Sequence, residues 1–354
     1  MMRANLPSFF VVVLATTAAC NPATTDTGSA LDGGATADLT NPADLAAPPD
    51  FAAPADLATT PDLFPGHLIE HIVAPKDTDP RIDNWLDNHY AYLDTRAPVR
   101  PQLVVHLAGA SGTPQGTTAM LQEEASYGFH VIGLRYCNDY LIVNICNADT
   151  DPDCHGKLRL EAFDGMDHSP HIMVTTQNGI ESRLAKLLAY LDMKFPGEGW
   201  GAFLDGGGAP LWPWIIVSGH SHGASAAGRI SKVRPLAGAA MLSGPYDSKN
   251  GVPALWTTEQ PMTPDDRVFG FTHTLESQHS QHLTDWKSLG LDSLGMVATV
   301  DGKASPWGGT HEFQTAIPPP MNVDPHGMTT AGGVSPKMNG VYSYRPVWRR
   351  MLGL

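Results

Sequence analysis

The stretch Trp214-Ile215-Ile216-Val217-Ser218-Gly219-His220-Ser221-His222-Gly223-Ala224 decides how the chain is read. Its apolar, β-branched opening predicts a buried strand. Gly219-His220-Ser221-His222-Gly223 is a G-x-S-x-G turn. The small residues from Ala224 to Gly228 then suit a closely packed helix. A serine held at a sharp strand-to-helix turn needs neighbours almost without side chains two positions away on each side. Its hydroxyl then stands above the strand ends, where a histidine from another loop can take its proton.

Working outward, Leu103–Leu107 predicts a strand, 117–125 a helix and 130–136 a second strand. Strand, glycine loop, helix and strand make a βαβ unit, whose strands should be parallel. Further strands are expected over 67–73, 237–244, 267–273 and 296–300, the last being the final one. The segment 85–93 reads equally as a short strand or a turn. Ile180, Leu184, Leu187, Leu188 and Leu191 share one face of a helix, and 346–352 suits a short closing helix. The fold class is therefore α/β, a mostly parallel central sheet with helices on both faces. Reacting groups should gather at the carboxyl ends of the strands.

From the turn at Ser221 and this element order, residues 64–354 resemble the α/β-hydrolase family. The resemblance implies a serine hydrolase that cleaves carboxylic esters through an acyl-enzyme, without a cofactor. It makes Ser221 the nucleophile and places the acid and the histidine after it in the chain. Glu276, in Thr274-Leu275-Glu276-Ser277, sits where the family places its acid; Asp247 and Asp301 are the alternatives. His326, in a loop before the last helix, is favoured as the base over His311. The oxyanion donors would be the backbone N–H of His222 and that of Ala110, or of Ser111, in the Gly109–Gly112 loop. His220 would line the site. The H-x-H pair of His220 and His222 also allows a metal reading, but side chains so placed should diverge. Trp256, Trp286, Trp307 and Met262 are candidates for an apolar acyl pocket.

The amino end is of another kind. Residues 1–20 have the three-part form of an export signal: Arg3, an apolar run over 9–15, and small residues before Cys20. This resembles a bacterial lipoprotein leader and implies a lipid on Cys20 that anchors the protein to a membrane; cleavage after Ala19 would give a soluble secreted protein instead. Thr17 departs from the usual leucine. Residues 21–63 contain no Lys or Arg and carry an aspartate every sixth residue from Asp26 to Asp62, seven of the net charge of -14. Prolines exclude a helix or strand there. The segment reads as an extended spacer, able to reach on the order of 100 Å, or as a repeated Asp-Leu recognition tag. There is no basic stripe, which argues against nucleic acid as a partner.

In an exported chain a disulfide is expected. Cys146 and Cys154 flank the acidic loop 149–153 and are the expected pair, with Cys137 a buried free thiol. Zinc on these cysteines with His155 lacks the usual spacing, and calcium on the acidic loop lacks the EF-hand pattern. A reading from a different class stays open: a non-catalytic cell-surface binding lipoprotein on the same fold. Small-molecule and polymeric esters both fit the hydrolase reading.

Overall fold

Successive residues of one strand enter two different cores. In β3 (Leu103–Leu107), Leu103, Val105 and Leu107 face one, and Val104 faces the other. The same alternation holds in β5 (Ile215–His220), between Ile215 and Val217 and Ile216. It holds again in β6 (Gly238–Leu242), between Ala239 and Met241 and Ala240 and Leu242. The period of two puts both faces of the sheet under apolar cover.

The structure is a computed structural model that describes residues 66–354. The signal, Cys20 and the repeat over 21–63 lie outside the described residues. In order, the chain forms β1 (Leu68–Val73), α1 (Pro75–Thr78), β2 (His89–Asp94), β3, α2 (Thr118–Ala125) and β4 (His130–Gly133). Then come α3 (Ile142–Ala148), α4 (Cys154–Asp164), α5 (Ile180–Lys194), β5, α6 (His222–Val233) and β6. A small hairpin, β7 (Ser248–Lys249) and β8 (Val252–Pro253), precedes β9 (Val268–His273), α7 (His279–Ser288), β10 (Ala298–Thr299) and β11 (Glu312–Thr315). A second hairpin, β12 (Lys337–Met338) and β13 (Val341–Tyr342), leads to α8 (Arg345–Met351).

Nine strands form one sheet in the order β1-β2-β4-β3-β5-β6-β9-β11-β10. β1, β2 and β4 pair antiparallel, and from β4 to β10 every pairing is parallel. Residues of α5 and α6 cover one face and those of α2 and α8 the other. This is the expected α/β class, with a mostly parallel sheet between helices. The β3–α2–β4 unit is parallel, with Leu103 opposite His130. The apolar stripe of α5 is fully buried, as its spacing required.

Several elements differ from the sequence reading. The undecided segment resolves as a strand only from His89 onward. The final strand is not 296–300. That segment shrinks to β10 at the sheet edge, and β11 inserts between it and β9. The sequence of β11, Glu312-Phe313-Gln314-Thr315, is too polar to announce a strand. Two helices, 142–148 and 154–164, which the sequence did not announce, flank the 149–153 loop. Ile142, Cys146, Cys154 and Leu158 make a small core of their own, too sparse to show as a stripe. α7 buries His282, Asp285 and Trp286, so its inner face is largely polar and gives no hydrophobic period.

Candidate active site

Ser221 sits between the last residue of β5 and the first of α6, with φ 57 and ψ -114. This is a sparsely populated region for a side-chain-bearing residue. The two flanking glycines explain how the turn closes. A Cβ on Gly219 would lie 2.3 Å from the Gly223 backbone, and one on Gly223 would lie 2.0 Å from the Leu107 carbonyl oxygen. Both contacts are with backbone, so only glycine fits.

The Gly109–Gly112 loop presses on the same turn from β3. A Cβ on Gly109 would stand 3.4 Å from Ser221 Cβ and 3.3 Å from His220 Nδ1. Asn138 clamps this loop: its Nδ2 donates to the carbonyls of Gly109 (2.6 Å) and Gly112 (2.9 Å). The Asn138 carbonyl accepts from Ser111 N–H at 2.7 Å. That bond occupies the Ser111 amide, which removes Ser111 as an oxyanion donor. Ala110 borders a crevice of about 250 Å³ together with Ser221 and His222. Asn138 carries no motif, so nothing in the sequence pointed to it.

Fifty residues apart in sequence, Glu276 and His326 meet at the carboxyl end of β9. His326 Nδ1 donates to Glu276 Oε2 at 2.7 Å. The other oxygen, Oε1, accepts from His273 N–H (2.7 Å) and Thr272 Oγ1 (2.7 Å). Ser243 Oγ–H bridges Glu276 Oε1 (2.9 Å) and the His326 carbonyl (3.0 Å). Burial alone would raise the pKa of Glu276. The His326 hydrogen bond, the neighbouring His282 and the donors from His273 and Thr272 outweigh it and hold the group at about 2. Glu276 is thus a carboxylate at any neutral pH. Behind it, Thr272 donates to Glu276, and its oxygen accepts from His282 Nδ1 at 2.9 Å.

His220 joins this pair to the turn. Its Nε2 donates to the His326 carbonyl at 2.9 Å, and the two rings lie 4.7 Å apart. Burial, then repulsion from His326, lowers its pKa to about 4, so it is neutral at pH 7. The His222 ring turns elsewhere, to Tyr140 at 5.3 Å. The two histidines therefore do not converge as metal ligands, and His220 is a structural neighbour of His326.

The alternative acids have other partners. Asp247 is fully buried and receives Arg159 through both carboxylate oxygens. Asp301 accepts from Thr315 Oγ1 (2.6 Å) and Ala316 N–H (2.6 Å). His311 precedes β11 at the amino end of the parallel strands, where its Nδ1 donates to the Val268 carbonyl at 3.0 Å. That is the opposite end of the sheet from Ser221, so His311 is excluded as its base. The pocket tryptophans are a further correction. Trp256 and Trp286 are core residues with no exposure, and Trp307 packs edge-on to Phe313. Met262 bonds through its N–H to the Lys232 carbonyl, at the far end of α6. None of the four borders the crevice.

Cys146 and Cys154 form the expected disulfide, and Cys137 is a buried free cysteine whose thiol burial pushes up. Asp149, Cys154 and His171 lie close enough to suggest a metal site, but the Cys154 sulfur is committed to the disulfide. In the acidic loop Asp149 is hydrogen-bonded to His171 and Asp151 pairs with Lys157. Among the described residues, no helix is long and apolar enough to cross a membrane. No protein-family model matches the chain, and no curated protein matches it.

Proposed function

We propose that the protein is a serine hydrolase of the α/β-hydrolase type that cleaves carboxylic esters. The observation that carries this reading is the Glu276–His326 pair, held through His220 to the strand-to-helix turn on which Ser221 stands at positive φ. The sheet order and the site at the strands' carboxyl ends support the same fold assignment.

In this reading His326 donates its Nδ1 proton to Glu276, which leaves Nε2 with a lone pair for the Ser221 hydroxyl. Ser221 Oγ bonds to the ester carbonyl carbon while its proton moves to His326 Nε2. The carbonyl oxygen becomes an oxyanion, met by the N–H groups of His222 and Ala110. The tetrahedral centre collapses, the carbon–oxygen bond to the alcohol breaks, and the imidazolium returns the proton to the leaving alkoxide. Water then repeats the sequence on the acyl-enzyme and releases the acid and the free serine. Glu276 stays ionised throughout and stabilises the imidazolium. No cofactor enters these steps.

Export and a lipid on Cys20 belong to the same proposal. The test is labelling by a fluorophosphonate probe and hydrolysis of p-nitrophenyl esters by the parent, Ser221→Ala and His326→Ala. Labelling of the parent alone among the parent and Ser221→Ala is expected. An unlabelled, inactive parent would sink the hydrolase reading in favour of a binding protein on this fold. Fatty-acid labelling that persists in Cys20→Ala would remove the anchor.

A further inference from the structure

A crevice of about 250 Å³ lies beside Ser221. One wall comes from Leu141, Ile142, Val143 and Asn144, at the start of α3. Arg159, Ser225 and His222 also line the crevice. His326 does not line it. This matters for which half of an ester enters. The base must reach the leaving oxygen to return its proton, so the alcohol lies on the His326 side. The acid part, attached to the carbon that Ser221 attacks, is left with the crevice.

We propose that the Leu141–Val143 wall is the acid-length determinant of this site, and that the site favours esters of short acids over long ones. The inference rests on the hydrolase reading. Two observations support it. At about 250 Å³ the crevice is smaller than the usual binding cavity of 300–1,000 Å³. The wall is also anchored. Ile142 is buried in the small core with Cys146, Cys154 and Leu158. The Cys146–Cys154 disulfide ties α3 to α4, and Lys249 holds the Asp149 carbonyl at the end of the segment.

The test is kcat/KM for p-nitrophenyl acetate, butyrate, hexanoate, octanoate and decanoate with the parent, Ile142→Ala and Leu141→Ala. Leu141 is 59% exposed, so its truncation leaves the fold intact even if Ile142→Ala does not. The parent should lose at least about tenfold between hexanoate and decanoate, and the variants should raise the decanoate-to-butyrate ratio about tenfold. A flat parent profile, or an unchanged ratio in both variants, overturns the inference while the hydrolase reading stands. A parent that takes the fluorophosphonate label but cleaves none of the short esters also overturns it. Failure of both labelling and hydrolysis overturns the hydrolase reading itself, and the inference with it.

Discussion

Glu276 Oε2 accepts the Nδ1 proton of His326 at 2.7 Å, and the same carboxylate takes three further donors on its other oxygen. One oxygen is thus tied to the framework of β9 and Ser243, while the other holds the imidazole. An orienting carboxylate must do both.

Glu276→Gln keeps the shape but loses the charge and can present an N–H to His326 in place of an acceptor. The expected result is a fall in kcat of about 10³–10⁴-fold with KM little changed, by analogy with the loss of the orienting carboxylate in other triads. Steady-state kinetics on p-nitrophenyl butyrate checks this, with circular dichroism confirming the fold. A loss under about tenfold would remove Glu276 from the mechanism.

Acid stability should carry the same signature. The Glu276 carboxyl falls from an ordinary 4.5 to about 2 on folding, so its stabilisation is complete above pH 4.5 and is lost as pH drops toward 2. His220 and His282, each lowered from 6.5 to about 4 by burial, act with the same sign at higher pH. The unfolded chain binds their protons first, so their contribution declines from about pH 6.5 to 4, against the opposite contribution of Asp285 and Glu312, whose carboxyls burial raises to about 8 and about 7. Urea unfolding of the parent and Glu276→Gln between pH 7 and 3 should show the variant losing less stability than the parent below pH 4.5, the remaining loss coming from other carboxylates such as Asp79.

Asp247 is distinguished by a different failure. Asp247→Ala leaves Arg159 buried without its counter-charge and should cost about 3–5 kcal/mol. The urea midpoint measures this. Asp301→Ala, which removes hydrogen bonds to Thr315 and Ala316 at the carboxyl end of β11, should cost only about 1 kcal/mol.

Gly223→Ala should destabilise by about 3 kcal/mol, because its Cβ would meet the Leu107 carbonyl oxygen at 2.0 Å and no flexible side chain is there to yield. Ser221→Ala makes no such contact and should unfold within about 0.5 kcal/mol of the parent. Thermal unfolding of the two variants side by side is the measurement.

Loss of the disulfide should act locally. Replacing Cys146 and Cys154 by serine opens a loop closed across eight positions and should cost about 2–3 kcal/mol. Limited proteolysis should then cut between 139 and 153 before the sheet unfolds, because this segment has its own small core. Cleavage that starts elsewhere would count against a separately held wall.

The sequence by itself determined what depends on neighbours in the chain. The strand before Ser221 and the helix after it follow from a β-branched run and a run of small residues. The glycines at 219 and 223 follow from the tightness of the turn, and α5 from its 3.6-residue stripe. The disulfide too was legible, since Cys146 and Cys154 flank a short loop. Glu276 and His326 could be preferred but not joined to each other, because no local rule fixes two loops fifty residues apart. Only the tertiary structure decided between His326 and His311. Both lie beyond the strand expected to be last, yet β11 falls between them, so they emerge at opposite ends of one short parallel strand. It also turned Trp256 and Trp286 into core and gave the crevice wall to the start of α3, a helix with no apolar stripe to announce it. There the deciding contacts are the Cys146–Cys154 bond and a few buried side chains brought together from two helices, a packing that no window of sequence contains.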